Sequence, residues 1–159
     1  MDIISIFHGF LALFLNVYGF VIKKNKWDYY YLLYIYAVAF SWTLFNGDCL
    51  ITYYYNKQKD PTYQAGNFTE MSDLHVLFGK KYAPFLKRNH ILIVSILTVI
   101  STVSMYIVFL RQKFSLLSTF CMLGIYGIYY ATIMNKIDLH SLFSVLLLGC
   151  LLYILSVWK

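Results

Sequence analysis

The chain has 159 residues, of which 60% are hydrophobic, 20% aromatic and only 13% charged, and it carries a formal net charge of +6. Soluble globular domains place about a quarter of their residues in Asp, Glu, Lys and Arg, so this composition excludes most of them, along with disordered chains, collagens and coiled coils. An integral membrane protein is the class that remains. In a soluble domain the positive charge would suggest a nucleic-acid partner; here most Lys and Arg lie between apolar runs, where basic residues flank membrane spans. The expected partner is therefore the lipid bilayer, with no nucleic acid. Cys49, Cys121 and Cys150 are too scattered for a disulfide framework or a CxxC redox pair.

A helix needs roughly 20 apolar residues to cross the hydrocarbon core. In chain order, spans are expected over about 3–22, 29–55, 91–110, 114–135 and 139–158. Backbone groups must be satisfied internally in lipid, so these runs predict helices and not strands. The expectation is an all-α, polytopic membrane helix bundle, one membrane domain over 1–159 with about five transmembrane helices plus a short extramembrane or interfacial helix. The first run is not read as a cleavable signal peptide, because Asp2 precedes it and Lys23, Lys24 and Lys26 follow it. Those lysines favour an N-terminus outside and a C-terminus in the cytoplasm, with Arg111 and Lys113 also inside.

Residues 56–90 form the expected extramembrane segment. Lys59-Asp60-Pro61 punctuates its start, since proline disfavours helix in the residue before it. Asn67-Phe68-Thr69 is a glycosylation acceptor, usable only on the outer side. Thr69 is placed to cap a short helix over Glu70–Phe78. Lys80, Lys81, Lys87 and Arg88 interleave with Tyr82, Phe85 and Leu86, which reads either as a segment lying on the membrane surface or as a solvated basic linker.

Polar residues inside the runs are costly in lipid and are where a functional reading begins. His8, Ala12, Asn16 and Gly19 share a face of the first run, and Gly124, Gly127 and Ala131 recur at helical spacing in the fourth. Small residues of this kind let helices approach closely, so Gly124, Gly127 and Ala131 are expected to face a neighbouring helix. Asp48 is the single carboxylate within an apolar run. Nineteen residues beyond Tyr29 puts it ~28 Å along that helix, near the far interface. His8, His75, His90 and His140 all fall on that same side, with Asp48, Cys49, Glu70 and Asp73. Histidine titrates nearest physiological pH and is the commonest metal ligand. No HxxxH, HxxE or CxxC spacing pre-assembles a site, so a metal is left open and no cofactor is expected. His8 and Asp48, at similar depth, are expected to meet and couple the first two helices.

The second run reads Ser41-Trp42-Thr43-Leu44-Phe45-Asn46-Gly47-Asp48-Cys49-Leu50-Ile51-Thr52, followed by Lys57 and by Asp60-Pro61-Thr62-Tyr63-Gln64-Ala65-Gly66. This stretch resembles a group of uncharacterised small multi-pass membrane proteins of large DNA viruses, which share the Trp, the Gly-acid-Cys step, a hydroxyl residue, a Lys and a Pro-x-Tyr-x-x-Gly segment. The resemblance brings no activity with it. It implies that Asn46, Gly47, Asp48, Cys49 and Thr52 act as one unit.

No nucleophile–base pair or phosphate loop is present, so no catalytic residue is assigned and the reading leans away from an enzyme. The leading expectation is a small channel or transporter-like bundle, in which His8, Asn46, Asp48, Cys49, Thr52, Asp73, His75, His90 and His140 form a polar cluster on one membrane face. Five short helices leave little room for a private pore, so this reading expects a homo-oligomer. The alternatives are a structural or partner-binding membrane protein of a viral envelope or host membrane, and, more distantly, a membrane redox or lipid-modifying enzyme.

Overall fold

The computed structural model describes residues 3–66, 80–135 and 137–158. Every regular element among them is helical: α1 (Ile3–Val21), α2 (Trp27–Leu44), α3 (Leu50–Lys59), a 3-10 turn (Lys80–Tyr82), α4 (Ala83–Arg88), α5 (His90–Arg111), α6 (Leu116–Met134) and α7 (His140–Val157). Three stretches, Ile91–Arg111 in α5, Leu116–Met134 and His140–Val157, are long and apolar enough to cross a membrane, and Ile6–Val21 is a shorter apolar helix. The helix expected over Glu70–Phe78 and the acceptor Asn67 lie outside the described residues.

The expected second span, 29–55, is not one helix. Helix α2 stops at Leu44, and Asn46 (φ 50°) and Gly47 (φ 95°) occupy the left-handed region before α3 begins. The Gly47 N–H reaches back to the Trp42 carbonyl at 2.7 Å. A helix ends where consecutive residues turn left-handed, and an Asn-Gly pair does so at the least steric cost. Asn46-Gly47 therefore acts as a stop signal inside an otherwise apolar run.

The described residues fall into two compact units, 3–23 with 80–107, and 24–66 with 108–135 and 137–158. In the first unit α1 approaches α5 at Gly19, whose backbone N–H donates to Ser104 Oγ at 2.7 Å. The hydroxyls of Thr98 and Thr102 turn back to the carbonyls of Val94 and Thr98 at 2.9 and 2.8 Å. These polar residues of α5 are satisfied by their own helix, as hydroxyls in lipid-facing helices commonly are.

In the second unit α2 runs antiparallel to α7 over the whole length of both. At one end the Tyr29 and Trp158 rings stack with centroids 5.9 Å apart; at the other, Ser144 Oγ donates to Thr43 Oγ1 at 2.7 Å. Helix α6 is also antiparallel to α7: Tyr153 O–H donates to Ser118 Oγ at 3.1 Å, and Tyr129 pairs with His140 at the opposite end. Leu32, Tyr36, Ala39, Phe109, Leu147 and Ile154 are fully buried between these helices. Gly124 and Gly127 do not make the close approach expected of them. A Cβ added at either would meet nothing within 4 Å among the described residues, so α6 packs through its larger side chains, Met122, Tyr126 and Tyr129.

Helix α5 ends in a Schellman turn. The Phe114 N–H bonds to the Phe109 carbonyl at 3.1 Å, the Lys113 N–H bonds to the Leu110 carbonyl at 3.0 Å, and the Phe109 and Phe114 rings close the motif with centroids 5.0 Å apart. Lys113 holds the left-handed position at φ 63°, where glycine is usual. Lys113→Gly removes that strain, and thermal unfolding in detergent should show a gain of up to about 1 kcal/mol.

Candidate functional site

Residues 45–66 fold back on themselves around one carboxylate. After the Asn46-Gly47 break, Cys49 takes an extended conformation as the residue that opens α3. At the far end of α3, Asp60 organises a turn: its Oδ1 accepts from the Thr62 N–H at 2.9 Å and the Thr62 hydroxyl at 2.6 Å, while its carbonyl accepts from the Tyr63 N–H at 3.0 Å. Pro61 fits the second position of such a turn because its φ is preset. Lys57 Nζ then donates to the Tyr63 carbonyl at 3.0 Å. The chain is thereby returned toward the α2–α3 break, with the Tyr53 and Tyr63 rings 6.3 Å apart.

The returning segment meets Asp48. Its Oδ2 accepts from the Tyr63 hydroxyl at 3.0 Å and from the Gly66 N–H at 3.1 Å. Gly66 is at φ 87°, and a Cβ there would come within 3.0 Å of the Asn46 Cβ, so both backbone conformation and space call for glycine. The Asp48 residue is only 1% exposed, and its second oxygen, Oδ1, is buried with no hydrogen-bond partner. Burial pushes the Asp48 carboxyl above the usual aspartate range, while the Gly66 and Tyr63 donors pull it part of the way back. The Tyr63 hydroxyl is raised too, by burial first and by the adjacent carboxylate, and stays a donor. Asp60 moves the other way, held below the usual range by its two bonds from Thr62.

Of the residues expected to cluster, the fold brings Asn46, Asp48 and Cys49 to this break. Thr52 lies half-buried on α3, one turn further on. His140 opens α7, where its Nδ1 lies 2.9 Å from the Tyr129 hydroxyl. His8, half-buried on α1, and His90, which opens α5, belong to the first unit, whereas Asp48 and His140 belong to the second. Asp73 and His75 lie outside the described residues. The donors to Asp48 Oδ2 are Tyr63 and Gly66. Among the described residues no three His, Cys, Asp or Glu side chains come together as a metal site.

A second constellation, missed by sequence reasoning, lies at the other end of the second unit. Asp28, in the first turn of α2, is fully buried, and Arg111 grips it with two bonds: Nε to Oδ2 at 2.8 Å, and Nη2 to Oδ1. Gln112 adds Nε2 bonds to Asp28 Oδ2 and, at 3.0 Å, to the Asn25 carbonyl. The signal lay in Asp28 standing directly before an apolar run with Arg111 directly after another; each reads as a flanking charge until the two ends meet.

No protein-family model matches the chain, and no curated protein or solved structure matches it either.

Proposed function

We propose that this chain is a five-span membrane protein, N-terminus outside and C-terminus in the cytoplasm, that binds a proton or small cation at Asp48 as part of a channel or transporter. The spans would be α1, α2, α5, α6 and α7. Helix α1, at 19 residues, is ~28 Å long and nearly matches the hydrocarbon thickness. Helix α2 runs beside all of α7, a helix apolar enough to cross, and so reaches both interfaces with it. Orientation is favoured by Lys24, Lys26, Arg111 and Lys113 gathering at the end where α2 starts, against Lys57 and Lys59 at the opposite end among the described residues of this unit. A pore built this way needs more than one copy, and Gly124 and Gly127, with open space beside them, would admit a second helix.

The observation that carries the reading is the unpartnered Oδ1 of a buried carboxylate. Buried polar groups are nearly always paired, and an orphan oxygen suits a ligand that comes and goes. A second reading has its own support. Tyr63, Gly66 and Asp48 tie the loop of residues 45–66 to the break after α2, as a structural pin in a partner-binding membrane protein would. The likeness to small viral membrane proteins covers this same loop and fits either reading.

Two substitutions separate them. Asp48→Asn keeps an acceptor for Tyr63 and Gly66 and removes the charge; Asp48→Ala removes both, at a cost of about 1–3 kcal/mol in stability. A transport role predicts that Asp48→Asn abolishes flux in reconstituted vesicles while leaving the fold intact. A purely structural role predicts unchanged behaviour for Asn and damage only for Ala. Stability itself should depend on pH through Asp48. Its folded carboxyl binds a proton more tightly than the unfolded chain does, so its contribution is full below the unfolded value and is lost as pH rises through the raised folded value. Unfolding midpoints measured across that window should show this slope in the native chain and lose it in Asp48→Asn.

A further inference from the structure

We propose that the turn of residues 24–27 and the turn at Lys113 form one docking surface for the headgroup of an anionic phospholipid. The two turns are far apart in sequence and joined in the fold: Gln112 donates to the Asn25 carbonyl at 3.0 Å, and Arg111 and Gln112 both bond to Asp28. This brings Lys24, Lys26 and Lys113, all exposed, to one end of the second unit. Asp28 is the one acid at that end among the described residues, and Arg111 already neutralises it in a buried pair, so it does not offset the lysines.

The same surface carries exposed aromatic rings beside the lysines. Trp27 is 59% exposed and Tyr30 49% exposed, and Trp158, at the end of α7, packs edge-on against Tyr30 with centroids 4.6 Å apart. Lys26 Nζ sits 5.8 Å from the centroid of the Trp27 ring, which holds the ammonium beside the interfacial indole. Trp and Tyr favour the membrane–water boundary, and lysines there attract anionic lipid within a Debye length. An acidic soluble protein would satisfy the lysines and leave the aromatic rim unexplained; a phospholipid, with a phosphate beside an apolar tail, satisfies both.

The test uses the full chain with Trp42→Phe, so that Trp27 and Trp158 are the remaining indoles. It is reconstituted in phosphatidylcholine vesicles containing equal fractions of either brominated phosphatidylglycerol or brominated phosphatidylcholine, and tryptophan quenching is read. The anionic lipid should be preferred by at least about threefold, given the strength of lysine attraction at a membrane surface. The preference should fall toward unity in Lys24→Gln/Lys26→Gln/Lys113→Gln, and in the unmutated surface as salt is raised. Inorganic phosphate should do no more than chloride at equal ionic strength. Equal quenching by the two lipids, a preference that survives both the triple change and high salt, or specific displacement by free phosphate would each overturn the proposal.

Discussion

Replacing Arg111 by Met should destabilise the second unit by about 3–5 kcal/mol, the cost of leaving a buried charge without its partner. Asp28 has no exposure to water, and Arg111 gives it two ionic hydrogen bonds, while Gln112 is a neutral donor that cannot balance the charge. The same change pulls the last turn of α5 away from the start of α2, since Arg111 is the residue at which α5 ends. Adding Asp28→Asn in the same chain removes the stranded charge and should recover most of the loss. A double-mutant cycle on unfolding free energy would then give strongly non-additive values. Equal losses for the single and double variants would show that the contact acts through packing alone.

That pair marks the boundary of what the sequence discloses. The last three apolar runs were legible as helices because uninterrupted apolar sequence leaves the backbone one way to satisfy itself in lipid, and α5, α6 and α7 follow those runs within a few residues. The break after Leu44 was not, because hydropathy counts Asn46 and Gly47 as two weakly polar residues and carries no record of their backbone angles. Asp48 could be singled out by its isolation among apolar neighbours. Its partners could not: Tyr63 and Gly66 stand 15 and 18 residues away, and only the Asp60 turn brings them back. The Arg111–Asp28 bond spans 83 residues and joins two groups that each look like ordinary flanking charges. Small-residue spacing at Gly124 and Gly127 marks where a helix could approach and not which helix is there; within the described residues the space beside both is open.

Helices α1 and α5 come together closely at Gly19, one of the small residues the sequence placed on a single face of α1, and Gly19→Ala should cost on the order of 3 kcal/mol, at the upper end of overpacking effects. A Cβ at this position would run into the Ser104 carbonyl oxygen and stand 2.8 Å from the Ser104 carbonyl carbon and 2.9 Å from its Cα. These are backbone atoms in the middle of α5, so no rotamer change relieves the overlap; the two helices must separate. Separation also breaks the bond from the Gly19 N–H to Ser104 Oγ, which is 2.7 Å long and buried. In a membrane, where apolar side chains gain little by leaving lipid for one another, such close backbone contact and its hydrogen bond supply much of the attraction between helices. Ser104→Ala deletes the bond and leaves the backbone clearance untouched, so it should cost only about 1 kcal/mol. Unfolding measurements in detergent should therefore rank Gly19→Ala well below Ser104→Ala in stability. The reverse order would place the weight of this contact on the hydroxyl and not on the close approach of the two backbones.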